Sequence, residues 1–260
     1  MHRQESRTPL TILLVVLLLL APVTTVLAWL DATRWHYVLI PPGAASPTDT
    51  PSDNIPIQPE NLQRLKQSIL NIRVPNCDGT GLSSGTAFVV APGYVATAAH
   101  VVKDHQACSS EMVLVDYRGL EYPAELAGYS DETQLDLALL SFGDQDLASL
   151  PLSNSSLFEQ AAGAVEVITI GYPPGASTVD ESAISGAGLI SSFRDGVFFT
   201  SGMDLNPGNS GGPVFIMTDW TVLGVASKKG DAAQGGEGLG LVVPSSVLAQ
   251  FYEDRIGRPL

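Results

Sequence analysis

The sequence predicts an all-β protein built from antiparallel strands, because short runs rich in Val, Ile, Phe and Tyr recur along most of its 260 residues. Gly, Pro, Asp and Ser separate these runs, as turn residues do between strands. No long helical pattern lies between them, so the alternating strand and helix units of a parallel sheet are not expected. The predicted class is therefore an antiparallel barrel or sandwich with a short C-terminal helix.

The predicted elements of this body begin at residue 61. Leu62, Leu65 and Ile69 have helical spacing, which predicts a short helix within 61–70. About twelve strands are predicted after it, over 71–74, 86–91, 94–96, 112–117, 122–128, 134–142, 165–171, 183–191, 197–200, 214–217, 221–227 and 239–243. Pro244 followed by Ser245 is a helix-start signal, so a closing helix is expected over 245–252.

An uncharged apolar stretch covers residues 10–30, after a start that contains Arg3 and Arg7. As a helix its 21 residues would be about 31 Å long, which matches the hydrocarbon thickness of a bilayer. One interpretation is an uncleaved single-pass anchor, favoured by this length and by the interfacial aromatic residue Trp29. The other is a signal peptide cut after Ala28, which would give a secreted protein. In either case residues 1–9 are expected in the cytoplasm and the body outside it.

Residues 31–60 form the next segment, and from Pro41 onward they are rich in proline among Ser, Thr, Asp and Gly. This composition cannot bury a core and is typical of a stiffened linker. The sequence therefore predicts one domain over 61–260, held away from a membrane by the linker.

Composition excludes several kinds of partner and cofactor. The formal net charge is −14, so the chain would repel phosphate backbones and nucleic acid is not an expected partner. Cys77 and Cys108 allow one disulfide, and we expect it to form because the body is predicted to be extracytoplasmic. The sequence contains no C-x-x-C or H-E-x-x-H motif, so neither a metal site nor another cofactor is predicted.

The run Gly208-Asn209-Ser210-Gly211-Gly212 carries the strongest signal for chemistry. A serine between glycines suits a tight turn that exposes a hydroxyl and lets a substrate approach the backbone closely. The run also fits the G-x-S-x-G elbow of α/β-hydrolases, or an idle glycine turn. Because no histidine follows Ser210, the hydrolase order of Ser, then acid, then His is excluded.

His100 and Asp136 are the candidate partners of Ser210. His100 follows a predicted strand in a Thr-Ala-Ala-His context whose small residues leave the imidazole room to face a cleft, whereas His105 lies among Lys103 and Asp104 in a predicted solvated loop. Asp136 lies within the apolar run 135–140, where an unpaired charge would be costly, so a buried partner is implied. A carboxylate on one imidazole nitrogen leaves the other free to act as the base for a serine.

Five motifs in this order resemble those of trypsin-like serine peptidases of the HtrA/Deg type, over about residues 65–250. They are Ser-Gly-Thr-Ala-Phe-Val-Val from Ser84, Thr-Ala-Ala-His-Val-Val from Thr97, Leu-Asp-Leu-Ala-Leu-Leu from Leu135, Ile-Thr-Ile-Gly-Tyr-Pro-Pro-Gly from Ile168, and Asn-Pro-Gly-Asn-Ser-Gly-Gly-Pro-Val from Asn206. The resemblance implies a chymotrypsin-like double β-barrel with a His100, Asp136 and Ser210 triad in the cleft between the barrels. It also implies that the N–H groups of Gly208 and Ser210 form the oxyanion hole.

Two departures qualify the resemblance. The residue before Ser210 is Asn209, where digestive trypsin-like enzymes have an aspartate that pairs with a newly cut amino terminus, so activation by such a cut is not expected. Only 50 residues follow Ser210, and they are needed for the last strands and helix, so we expect no PDZ domain. Trimer formation, which the family would suggest, is therefore left open along with any other oligomeric state.

The resemblance suggests a substrate-binding set of Asp204, Ala226, Ser227 and Lys228. Asp204 lies six residues before Ser210, where an acid would favour cleavage after Lys or Arg; the alternative is an exposed turn aspartate. The expected activity is that of an extracytoplasmic serine endopeptidase acting on polypeptides, in quality control of exported proteins or in the processing of particular ones. A non-catalytic module of the same fold, used for binding or as a chaperone, is the alternative.

Overall fold

The computed structural model describes residues 59–131, 133–143, 146–160, 165–173, 182–203, 205–229 and 239–260. For residues 59, 60, 228 and 229 it describes the backbone alone. The predicted membrane segment 10–30 and most of the predicted linker lie outside these ranges. Among the described residues, no helix has the length and apolar character needed to cross a bilayer.

The first barrel contains the first six strands. The helix α1 (Pro59–Lys66) leads into it. Its strands are β1 (Ile69–Pro75), β2 (Leu82–Ala91), β3 (Tyr94–Thr97), β4 (Met112–Val115), β5 (Glu121–Ser130) and β6 (Leu137–Phe142), with the helix α2 (Lys103–Cys108) between β3 and β4. They close in the order β1-β2-β3-β6-β5-β4, and neighbouring strands in this order are antiparallel.

The second barrel contains the seven strands that follow within the described part of the chain. They are β7 (Glu166–Gly171), β8 (Ala183–Ile184), β9 (Gly188–Arg194), β10 (Val197–Ser201), β11 (Pro213–Ile216), β12 (Val222–Lys229) and β13 (Leu239–Pro244), followed by α3 (Ser245–Ile256). Their order is β11-β12-β13-β10-β9-β7-β8, and a further pairing of β11 with β7 closes the sheet. The predicted double β-barrel with a C-terminal helix is confirmed.

Three apolar clusters support this arrangement. The first barrel is filled by alternate residues of its strands, such as Leu70, Ile72 and Val74 of β1. A second cluster, which includes Val214 and Val242, fills the other barrel. A third lies between the barrels and under α3, and it joins residues of both. Because side chains of a strand alternate between its faces, one strand can serve both its barrel and this shared core.

Several predicted element boundaries differ from the structure. The helix predicted within 61–70 ends at Lys66, since the following residues enter β1. The strand predicted over 183–191 is two strands, β8 and β9. His105, predicted in a loop, lies in α2, and the closing helix continues past 252 to Ile256. These are errors of local pattern that leave the topology unchanged.

Candidate active site

His100 lies in the 3₁₀ turn Ala99–Val101, directly after β3. Its side chain is 26% exposed, and its Nδ1 lies 2.9 Å from Oδ2 and 3.1 Å from Oδ1 of Asp136. The backbone N–H of His100 also donates to Asp136 Oδ1 at 3.0 Å. A carboxylate that only accepts assigns the proton to Nδ1, so Nε2 is left with a lone pair.

Asp136 lies just before β6, although the apolar residues around it had predicted that it lies within the strand. The prediction of a strand from 134 was wrong: β6 begins at Leu137, and the N–H groups of Gln134 and Asp136 both donate to the carbonyl of Asp131 in a turn. Asp136 has φ +50°, a left-handed conformation that Asp tolerates better than most residues. Asp136 is also buried, with only 3% of its surface exposed.

Ser227 of β12, in the second barrel, contacts the same carboxylate. Its hydroxyl donates a short hydrogen bond to Asp136 Oδ2, and Ser227 itself is buried. Burial alone would raise the pKa of Asp136. The hydrogen bond and charge of His100, together with the Ser227 hydroxyl, outweigh burial and lower this pKa below its usual value. The carboxylate is therefore held in its ionised form.

The segment before Ser210 is a tight turn, and two N–H groups in and next to it have no acceptor among the described residues. The N–H of Asn209 donates to the carbonyl of Asn206 at 3.0 Å, and Gly208 has φ +94°, as a type II turn with Pro207 at its second position requires. A Cβ on Gly208 would lie 1.9 Å from the carbonyl oxygen of Tyr172. Within the described part of the chain, the N–H groups of Gly208 and Ser210 donate no hydrogen bond.

Ser210 lies where the two barrels meet. Its carbonyl accepts from the N–H of Thr86 in the first barrel at 2.9 Å, and the next residue, Gly211, donates to Ala226 of the second at 2.7 Å. Gly211 has φ +82°, and a Cβ there would lie 2.1 Å from Thr97 Oγ1. As far as the structure describes them, Ser210 and His100 share no hydrogen bond. In unliganded enzymes such catalytic contacts are often long.

The predicted substrate-binding residues are placed only in part. Ala226 is buried, and both its N–H and its carbonyl bond the loop after Ser210. Ser227 directs its hydroxyl to Asp136, a contact that no local sequence signal indicated. Lys228 lies in β12 with only its backbone described, and Asp204 is outside the described residues.

The disulfide between Cys77 and Cys108 is present, with 5.8 Å between the two Cα atoms. It joins the turn after β1 to the end of α2, the helix that follows His100. The expectation of this pairing is confirmed.

Comparison with known proteins supports the fold and the resemblance. The family model for a trypsin-like peptidase domain matches residues 85–225. The "Probable periplasmic serine endoprotease DegP-like" of Chlamydia pneumoniae is 35% identical over 178 residues, which cover 66% of this chain and 34% of that protein. The "Serine protease Do-like HtrA" of Bacillus subtilis is 30% identical over 190 residues, which cover 69% of this chain and 40% of that protein.

Among solved structures, the serine endoprotease from Yersinia pestis superimposes with a TM-score of 0.59 at 22% identity, over 75% of this chain and 65% of that one. That likeness supports the double-barrel fold. The chain spans about a third of the length of the DegP-like relatives it matches. With its matched domain and these relatives, the chain belongs to the trypsin-like peptidase family and is of the HtrA type.

Proposed function

We propose that the chain is a serine endopeptidase that uses Ser210 as nucleophile, His100 as general base and Asp136 as the residue that orients His100. The observation that carries this proposal is the contact of Asp136 with both the Nδ1 and the backbone N–H of His100, at 2.9 to 3.1 Å. This geometry fixes the tautomer in which Nε2 can accept a proton. The contact of Ser227 with the same carboxylate holds it ionised.

The chemistry follows from these positions. Ser210 Oγ attacks the carbonyl carbon of the peptide bond while its proton passes to His100 Nε2. The carbonyl oxygen becomes negative, and the N–H groups of Gly208 and Ser210 would donate to it. His100 then gives the proton to the leaving amine as the C–N bond breaks, which leaves an acyl-enzyme. Water next attacks the acyl carbon while its proton passes to His100, and His100 returns that proton to Ser210 Oγ as the ester bond breaks. Both N–H groups lack an acceptor among the described residues, which favours this role.

The proposed substrates are polypeptides outside the cytoplasm. The relatives named periplasmic support this location, and so does the Cys77–Cys108 disulfide, because such bonds persist in oxidising compartments. Residues 1–9 would then be cytoplasmic, 10–30 the anchor or signal peptide, 31–60 the linker and 61–260 the protease domain. Quality control of exported proteins is the role that this placement and the HtrA-type relatives favour.

The proposed substrate-binding set is Asp204, Ala226, Ser227 and Lys228. The N–H and carbonyl of Ala226 already bond Gly212 and Gly211, and the side chain of Ser227 is buried, so Ser227 would offer backbone rather than side-chain contacts to a substrate. Asp204 would supply a preference for Lys or Arg. A peptide library cleaved with the same preference by the parent chain and by an Asp204→Ala variant would contradict that assignment.

One observation favours the second candidate function, a non-catalytic binding or chaperone-like module. Within the described residues the Ser210 hydroxyl makes no hydrogen bond to His100, an arrangement that suffices for a binding module and that is also common in unliganded enzymes. The intact set of three residue types favours the enzyme, and a direct chemical test separates the two.

The test is labelling of the full chain with a fluorophosphonate, alongside hydrolysis of casein. The parent is expected to be labelled and to cleave casein, while Ser210→Ala and His100→Ala lose both. Ser191→Ala is the matched control, because Ser191 lies in β9 with its hydroxyl bonded to the carbonyl of Phe199. Labelling that persists in Ser210→Ala, or a parent that neither reacts nor cleaves, would refute the enzyme and favour the binding module.

A further inference from the structure

Thr86 of β2 is a fully buried residue whose polar groups contact three other segments. Its hydroxyl donates to the carbonyl of Gly208 at 2.6 Å and accepts from the N–H of Tyr172 at 3.0 Å. Its backbone N–H donates to the carbonyl of Ser210 at 2.9 Å. Its own carbonyl accepts from Thr97 Oγ1 at 2.8 Å. One residue of the first barrel thus bonds the loop 206–212 of the second barrel at two points, and this loop, which carries Ser210, is called the nucleophile loop below.

The sheet leaves this edge of β2 open. The pairing of β2 with β3 covers positions from Phe88 to Ala91, so Thr86 lies beyond it. On the other side β2 pairs with β1, where Thr86 is opposite Asn71. The backbone groups of Thr86 are therefore available to the nucleophile loop and to the end of β3, just before His100. Unlike the backbone contacts, those of the hydroxyl require a side chain that donates and accepts at once.

The two carbonyls held by Thr86 belong to the same two residues whose N–H groups are the proposed oxyanion donors. Holding the carbonyls of Gly208 and Ser210 fixes the peptide units 208–209 and 210–211. The N–H of Ser210 lies in the unit between them, and the N–H of Gly208 is held by the preceding turn. The orientation of the Ser210 donor therefore depends on the Thr86 contacts on both sides of it, and that of the Gly208 donor depends on the turn and on the Thr86 contact with the carbonyl of the same residue.

We infer that Thr86 is a positioning residue that holds the oxyanion donors of Gly208 and Ser210 in register with His100. Its hydroxyl holds the loop of the second barrel in place, and its carbonyl contact with Thr97 ties that loop to the end of β3, the strand that leads to His100. Because it acts through these donors, the role of Thr86 in catalysis rests on the proposed function. Donors that are preorganised in this way act on the transition state, so kcat rather than KM should report the role.

The experiment compares Thr86→Val, which removes the hydroxyl at nearly equal volume, with Thr86→Ser, which keeps it. Thr169→Val is the matched control, because Thr169 is also fully buried and its hydroxyl donates to the carbonyl of Pro213 at 2.8 Å. In the full chain, Thr86→Val is expected to lower kcat by about 10- to 100-fold with KM within about threefold, since loss of a whole donor costs about 100- to 1000-fold. Thr86→Ser and Thr169→Val should stay within about threefold of the parent, which is the range of context effects.

Hydrogen exchange of the segment 208–212 supplies a readout that needs no catalysis. Its amides should exchange roughly 10-fold faster in Thr86→Val, as expected for the loss of about one or two hydrogen bonds, and at the parent rate in Thr169→Val. The inference is overturned if Thr86→Val keeps the parent kcat, if Thr169→Val loses as much, or if Thr86→Ser is as slow as Thr86→Val. A parent that hydrolyses nothing refutes the proposed function instead. In that case unchanged exchange in Thr86→Val overturns the positioning role as well.

Discussion

Replacing Gly211 by alanine tests how closely the two barrels approach at the nucleophile. A Cβ at this position would lie 2.1 Å from Thr97 Oγ1, 2.3 Å from the carbonyl oxygen of Thr86 and 2.7 Å from the backbone nitrogen of Ala98. Two of these three atoms are backbone atoms of the first barrel and cannot rotate away. Gly211 also has φ +82°, where a side chain is strained in any surroundings.

Gly196 serves to separate the cost of backbone strain from the cost of crowding. Its φ of +78° is nearly the same as that of Gly211, and nothing lies within 4 Å of the place that an added Cβ would take. Backbone strain of about 1–2 kcal/mol is expected for Gly196→Ala. Gly211→Ala should add about 1–3 kcal/mol for crowding, for a total of about 2–5 kcal/mol. Denaturant unfolding of the two variants measures the difference.

Crowding at Gly211 should also displace Ser210, the proposed nucleophile. An ordinary contact needs 3.4 Å or more, so the loop must retreat by more than 1 Å from Thr97. A shift of about that size can lower the rate about 100-fold, so Gly211→Ala should lose that much kcat while Gly196→Ala keeps the parent rate. Equal losses of stability in the two variants, together with an unchanged kcat for Gly211→Ala, would refute the close approach.

Two further predictions concern the carboxylate and the disulfide. Since the folded-state pKa of Asp136 is lowered, its ionised form stabilises the fold above the ordinary carboxyl pKa of about 3.9, and this stabilisation is lost as the pH falls through the lower folded-state value. The difference in melting temperature between the parent and Asp136→Asn should therefore shrink below about pH 4, and a difference that grows there would contradict it. Cys77 and Cys108 are 31 residues apart, so a Cys77→Ser/Cys108→Ser variant should lose about 3–4 kcal/mol of unfolding free energy, and equal denaturation midpoints with and without the bond would count against this.

The barrel strands were predictable because their signal is local. Ile72 and Val74 alternate with Asn71 and Arg73 in the predicted strand 71–74, and that alternation alone predicts one face of the strand for them, which is the inner face of the barrel. The contact between His100 and Asp136 was predictable for a different reason: a buried carboxylate in an apolar run needs a partner. In both cases the signal lies in a short run of residues, although the His100–Asp136 contact itself joins residues 36 apart.

The position of Asp136 outside β6 could not be predicted in this way. The run 135–140 has the composition of a strand, and the turn that shifts its start depends on the carbonyl of Asp131 accepting two N–H groups. Ser227 is harder still, because it meets Asp136 across 91 residues and from the other barrel. Nothing adjacent to Ser227 distinguishes it from other serines, so its contact is a product of the tertiary fold.

The hydrogen bonds between the two barrels determine when during folding the proposed active site can form. The Thr86 hydroxyl reaches Gly208 across 122 residues, and Ser227 reaches Asp136 from the second barrel. Contacts so distant in sequence form late in folding, because long loops must close first. A partly folded chain with only its first barrel in place has neither the proposed nucleophile nor its donors. On the proposed function, the chain would become able to cut only when the last strands are in place.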